Sequence, residues 1–286
     1  MTFQFYFKRV FFVVFVVLLA FKLQGQSLLY KISGEGMKNN VFIYGTIHAL
    51  SQNDFFIDDI VLEKIDESEK IVLEIDMTDP NMIYEVQSSM IMKEKSIDAL
   101  LSKDEFSRLK YFFLDSIQMQ IDMVKHVKPL MLSSFLLPKI IGSQPASYEE
   151  FFLQIAIDKG IEIGGLETVS EQISFLDMIP LQEQAKMLME SVNDFNQSRI
   201  EFIRLVNVYK TRDIEKVYGL MMEMSTQYKD FGDYLIDARN LNWIPRIISL
   251  GNNKITFIAV GCGHLGGENG LINLFRKQGF SVQMLD

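Results

Sequence analysis

Two four-residue phrases near opposite ends of the chain, Gly45-Thr46-Ile47-His48 and Gly261-Cys262-Gly263-His264, each place a histidine three residues after a glycine. The chain has three histidines in all, so two of them share one local pattern. Imidazole is the commonest metal ligand and the usual acid–base group near neutral pH. Each phrase follows an apolar run that reads as a buried strand, Val41 to Tyr44 before the first and Ile255 to Val260 before the second. A glycine there is expected to let the backbone turn sharply and present the ring at a sheet edge. Two acids stand in comparable places, Glu74 after Ile71-Val72-Leu73 and Glu167 after Gly164-Gly165-Leu166.

Two neutral imidazoles and one or two ionised carboxylates can hold a divalent ion and leave a position for water. Manganese, cobalt, zinc and iron all suit such a set, because affinity order alone rarely decides. Each residue also has a plainer reading. A lone loop histidine is more often exposed or hydrogen-bonded than a ligand, and the glycine-dense turn around His264 could simply join a strand to a helix. Glu74 lies in a strongly apolar run, where a carboxylate is costly unless paired or metal-bound, and Arg239 could pair with it. Glu167 reads equally as a helix cap or first-turn acid. Arg239 and Asn240 read as mid-helix, with the nearby Trp243 suggesting a packed position. His126, before Pro129, reads as structural or exposed, and Glu268 as a first-turn acid of the last helix.

The elements that must position these groups follow from hydrophobic patterning. Buried strands are expected at Val41 to Tyr44, Ile71 to Leu73, Ile161 to Ile163 and Ile255 to Val260, with Leu28 to Ile32 opening the fold and Phe280 to Met284 closing it. Between about 100 and 250, apolar residues recur at helical spacing, as in Phe106, Leu109, Phe112 and Phe113, or Phe202, Leu205, Val206 and Val208. Pro180 reads as the start of a long helix. The expected architecture is α/β: a mixed or mostly parallel sheet built from N- and C-terminal segments, with a large helical insertion covering one side. Ligands of such sheets lie outside the carboxyl ends of parallel strands. If the four inner strands are parallel and adjacent, His48, Glu74, Glu167 and His264 become neighbours.

Lys8 and Arg9 precede an unbroken apolar stretch from Val10 to Phe21, and Gly25 offers a small residue for cleavage. Residues 1–25 therefore read as a secretory signal peptide, and 26–286 as a single domain. The apolar run falls short of the roughly 20 residues that a membrane span needs. Export to periplasm or medium is expected, with membrane association only if the segment is kept as an anchor. Removing it leaves 25 basic against 37 acidic residues, a net charge of −12. An acidic chain with no basic cluster is a poor candidate for nucleic acid. Cys262 is the sole cysteine, so no intrachain disulfide can form.

The stretches Phe42 to His48, Leu73-Glu74-Ile75-Asp76, Gly165-Leu166-Glu167-Thr168, Ala238-Arg239-Asn240 and Val260 to Leu271 occur in the order seen in the TraB/GumN family, which is related to the Tiki metalloproteases. The resemblance runs from about Leu28 to the end. It implies a divalent-metal-dependent, peptidase-like protein with His48 and His264 as the motif histidines, Glu74 and Glu167 as its acids, and Arg239 supporting the site. Cys262 stands where a small residue such as alanine is usual, and Gly266 where proline is common. The expected activity is hydrolysis of a peptide or protein substrate, with Glu74 or Glu167 deprotonating water and Arg239 stabilising an oxyanion. The alternative is a non-catalytic binder of extracellular peptides or metal complexes in the same cleft. A cysteine beside such a site would add redox sensitivity.

Overall fold

A computed structural model of the protein describes residues 26–286 except 143, 227 and 229; the segment read as a signal peptide lies outside the described residues. Among the described residues, eight strands occur in chain order: β1 (Leu29–Ser33), β2 (Val41–Thr46), β3 (Leu50–Ser51), β4 (Lys70–Ile75), β5 (Pro145–Ala146), β6 (Glu162–Glu167), β7 (Thr256–Gly261) and β8 (Ser281–Leu285). Six of them form one sheet in the order β6-β4-β7-β2-β1-β8. β6, β4, β7 and β2 run parallel, while β1 is antiparallel to both β2 and β8. The mostly parallel α/β sheet is thus as expected, and its four parallel strands are contiguous.

Burial follows from position in the sheet. β2 and β7 are covered on both faces, which is why they read as continuous apolar runs instead of alternating ones. β8, at the edge, has no fully buried residue. Their register pairs Thr46 with Gly261, so both motifs leave the sheet at the same level.

Between about 100 and 250 the chain is mainly helical, in two stretches separated by β6, and the second leads on to β7. The two stretches share their packing. Residues of the first stretch, with part of the second, bury a separate cluster that includes Ile97, Leu109, Phe113, Leu132, Leu136 and Leu188. The main cluster lies on the sheet around Phe42, Tyr44, Phe152, Trp243 and Phe257. Pro180 precedes the helix Leu181–Asn193, as expected. Glu268 does not lie in the last helix, which starts at Leu271; its side chain is exposed beside Lys277.

Candidate active site

The carboxyl ends of the four parallel strands bring His48, Glu74, Glu167 and His264 together, with Arg239 reaching in from the helix Ala238–Asn253. Glu167 is the last residue of β6, and its side chain is 2% exposed. Its Oε1 accepts from Arg239 Nε at 3.0 Å, Arg239 Nη2 at 2.6 Å and Gln172 Nε2 at 3.1 Å, while Oε2 accepts from Trp243 Nε1 at 3.0 Å. The helix-cap reading of Glu167 is therefore wrong. Thr168 caps the next helix, with Glu171 completing the capping box. Both Glu167 oxygens are thus filled by protein donors, although the one guanidinium charge is shared with Glu74.

Glu74 is divided between two tasks. Its Oε2 accepts from Arg239 Nη2 at 2.5 Å and from Gln172 Nε2 at 3.3 Å. Its Oε1 accepts from the Gly261 amide at 2.8 Å and lies 4.0 Å from His264 Nε2. Burial pushes this carboxyl up, but the Arg239 charge, both imidazoles and the Gly261 amide outweigh it and hold Glu74 well below the usual carboxylate range. The pairing with Arg239 expected of a buried acid is present, and one oxygen still faces the histidines.

The tautomer of His264 is fixed by Asn240. The Asn240 Nδ2 donates to the carbonyls of His264 at 3.1 Å and Asn269 at 2.8 Å. Its Oδ1 must then be the atom 2.7 Å from His264 Nδ1, and an amide oxygen can only accept. Nδ1 carries the proton, and the Nε2 lone pair points inward, 3.1 Å from the donor Arg239 Nη1. Desolvation and the Arg239 charge lower this imidazole to about 3, so it is neutral at physiological pH. Trp243 packs on it with ring centroids 4.4 Å apart.

His48 is held by Glu149, a residue the sequence did not single out. The short ribbon β3–β5 lays residues 145–146 beside 50–51, and Glu149 follows in the first turn of the helix Tyr148–Lys159. Glu149 Oε1 lies 2.8 Å from His48 Nδ1. Desolvation lowers the His48 pKa, and the contacts with Glu149 and Glu74 reverse it and raise it to about 9. The side chain is 67% exposed, so solvent screening weakens that shift without changing its sign.

The glycines of the two motifs serve close approach and not a sharp turn. Gly261 has φ −52°, accessible to any residue. A Cβ there would lie 3.4 Å from Glu74 Oε1, 3.7 Å from His264 Cδ2 and 3.7 Å from His48 Nε2. The glycine keeps side-chain atoms out of the point on which these three groups converge. A Cβ on Gly45 would lie 2.7 Å from Leu265 Cδ1 and 3.2 Å from the Cys262 Cα. Cys262 is 2% exposed with its thiol pushed up by burial, which makes it an inert packing residue and not the redox-sensitive group anticipated. His126 lies outside the site, its Nδ1 3.0 Å from the Lys95 carbonyl oxygen.

The donor chemistry suits a divalent ion. Oxygen partners hold the Nδ1 atoms of both imidazoles, the second-sphere arrangement that leaves Nε2 for ligation, and Glu74 Oε1 adds an anionic oxygen. Among the described residues, however, no group of three or more His, Cys, Asp or Glu side chains is arranged to hold a metal. Arg239 Nη1 shares the inward side of His264, so ligation requires that contact to give way. Gln172 and Glu149 complete the site, and neither carries a sequence signal beyond its place in a first helical turn.

Comparison with curated proteins and with solved structures finds no match. Residues 28–284 match the TraB/PrgY/gumN family, a span that takes in the four parallel strands and every residue of this site. The chain belongs to the TraB/PrgY/gumN family.

Proposed function

We propose that this protein is an exported, divalent-metal-dependent hydrolase acting on peptides or proteins, related to the Tiki metalloproteases. The observation that carries the reading is the convergence of His48 Nε2, the His264 ring and Glu74 Oε1 within 3.4–3.7 Å of the point where a Gly261 Cβ would stand. His48, His264 and Glu74 are the residues that would hold the ion. When bound, a divalent ion supplies Lewis-acid polarisation and a lowered water pKa.

The chain's own groups have distinct duties. Asn240 keeps the His264 proton on Nδ1, and Glu149 orients His48. Arg239 keeps Glu74 ionised across neutral pH, as a carboxylate ligand must be, and leaves its Oε1 facing the two imidazoles. Glu167, filled by Arg239, Gln172 and Trp243 and almost wholly buried, is a buttress for Arg239 and not the base. Arg239 is a cation beside the same cluster, available to stabilise an oxyanion. Export rests on the basic and apolar pattern of residues 8–21.

The contact between Arg239 Nη1 and His264 Nε2 favours a second reading, a metal-free binder of extracellular peptides, because that network is already closed without an ion. Calorimetric titration of the chelator-stripped chain with Zn, Mn, Co and Fe(II) separates the two. The hydrolase reading expects one ion per chain, lost in His48→Ala, His264→Ala and Gly261→Ala, with cleavage of a peptide library by the loaded wild type. The Gly261→Ala methyl makes only ordinary contacts, so its thermal midpoint should stay near wild type. Absence of ion binding by the folded wild type, or full turnover in both histidine variants, overturns the hydrolase reading.

A further inference from the structure

The histidine edge opens onto a cavity of about 320 Å³ whose far walls are apolar. Four helical segments supply them: Leu176 from Val169–Leu176, Leu205 from Phe195–Tyr209, Val217 and Met221 from Ile214–Ser225, and Leu235 and Ile236 from Asp233–Asp237. Thr46, His48, Arg239, Gly261 and His264 form the near wall. The same space therefore contains both the polar cluster and an apolar chamber.

The charges of that wall are already committed. Arg239 donates to Glu74, Glu167, the Leu235 carbonyl and His264. Gln172, which also lines the cavity, donates to Glu74 and Glu167. A charged group entering the chamber would lose its hydration and meet a guanidinium already shared among four acceptors. An apolar side chain would be desolvated at no such cost. The volume sits at the low end for ligand sites, roughly 300–1,000 Å³, which suits one large side chain with its adjoining backbone. His48, two-thirds exposed, stands between this chamber and solvent.

Met221 gives the chamber an adjustable floor. A Cβ on Gly263 would lie 2.6 Å from its Sδ, so the glycine is what lets the thioether pack against the His264 turn. A thioether on an unbranched chain adapts to irregular shapes.

We infer that this chamber selects peptides carrying a large apolar side chain, of the Leu, Met or Phe class, next to the bond presented over Gly261. The choice of a peptide rests on the function proposed above, whereas the side-chain preference is a property of binding and is read separately. Fluorescein-labelled hexapeptides, identical except for Leu, Phe, Ala, Asp or Lys at one central position, are titrated against the chelator-stripped chain by anisotropy. Leu and Phe peptides should bind on the order of 10–100-fold tighter than the Asp peptide. Leu235→Trp, which fills the chamber, should abolish that preference, and Met221→Ala, which widens it, should move the preference from Leu towards Phe. Leu205→Ala serves as a milder variant if either fails to reach a wild-type circular dichroism spectrum. Equal affinity for Leu and Asp peptides, no binding of any peptide, or a preference unchanged in the folded variants overturns the inference. A clear apolar preference with no cleavage by the metal-loaded chain leaves the chamber standing and removes the hydrolase. Cleavage without any side-chain preference does the reverse.

Discussion

At the scale of the residue, the proton of His264 and the oxygen that Glu74 turns to the histidines are each set by a neighbour. Asn240 fixes the His264 proton through an amide whose own donors are committed to two carbonyls. Arg239 divides its donors between Glu74 and Glu167. The state of His264 has a consequence for acid stability. Its pKa falls from about 6.5 to about 3 on folding, from desolvation first and the Arg239 charge second. Between those values the unfolded chain binds a proton that the folded chain does not, so the His264 contribution is full above about pH 6.5 and is lost as pH falls towards 3. Glu74, also held low, adds to the loss once the pH drops below its unfolded value, near 4.5. Urea unfolding of the metal-free chain between pH 7 and 4 should show a falling midpoint, and His264→Gln should flatten the upper part of that slope. An identical slope in the variant would remove His264 as its source.

The scale of the element explains the two glycine motifs. β2 and β7 lie side by side and in register, so their exits form one lip. The Tyr209 hydroxyl, at the end of the helix Phe195–Tyr209, donates to the Gly45 carbonyl at 3.0 Å and ties that helix to the β2 end. Gly45 is also where the Cys262–His264 turn and Leu265 pack directly on the strand. A methyl there meets a side chain at 2.7 Å and backbone at 3.2 Å, an overpacking expected to cost about 1–3 kcal/mol. Gly45→Ala should therefore lower the unfolding free energy by about that amount, whereas Gly261→Ala should not; chemical denaturation of the two variants side by side is the check. The π-helical turn Asp233–Asp237 lies directly before Arg239 in one continuous helical rod. Such wide turns are frequent at functional sites, and here the Leu235 carbonyl accepts from Arg239 Nη1 at 3.2 Å.

At the scale of the whole molecule, two hydrophobic clusters with no residue in common support different parts of the chain. The cluster on the sheet holds the four strand ends together. The second cluster, which includes Leu109, Phe113, Leu136 and Leu188, lies in the helical segments away from them. Leu188 is fully buried there, and Leu188→Ala is expected to cost about 2–5 kcal/mol. Because the clusters are separate, that loss should appear as faster amide exchange in residues 97–136 and 181–193, with β2 and β7 keeping their protection. Hydrogen exchange with peptide-level resolution would show it. Uniform acceleration across the sheet would mean that the two clusters open as one unit. Among the described residues, no helix is long and apolar enough to cross a membrane.

What could be read from the sequence was what depends on near neighbours in the chain. Continuous apolar runs marked β2, β4 and β7 because strands covered on both faces bury nearly every residue, and the polar groups ending those runs marked the strand tips. That was enough to assemble His48, Glu74, Glu167 and His264 on one edge and to bring in Arg239. The carboxyl ends of the strands were read short by one to several residues, since Gly45 and Gly261 stay in the sheet although glycine is a poor strand former. The chain alone could not decide which acid pairs with Arg239, which oxygen is left for the histidines, or that Glu149 would hold His48 from 101 positions away. Nor could it show that Gly45 and Gly261 are needed for close approach instead of for a turn. Those matters rest on contacts between distant segments, set by the sheet order β6-β4-β7-β2 and by the helices packed over its carboxyl edge. Local pattern records how deeply a residue is buried, while its partner is chosen by tertiary packing.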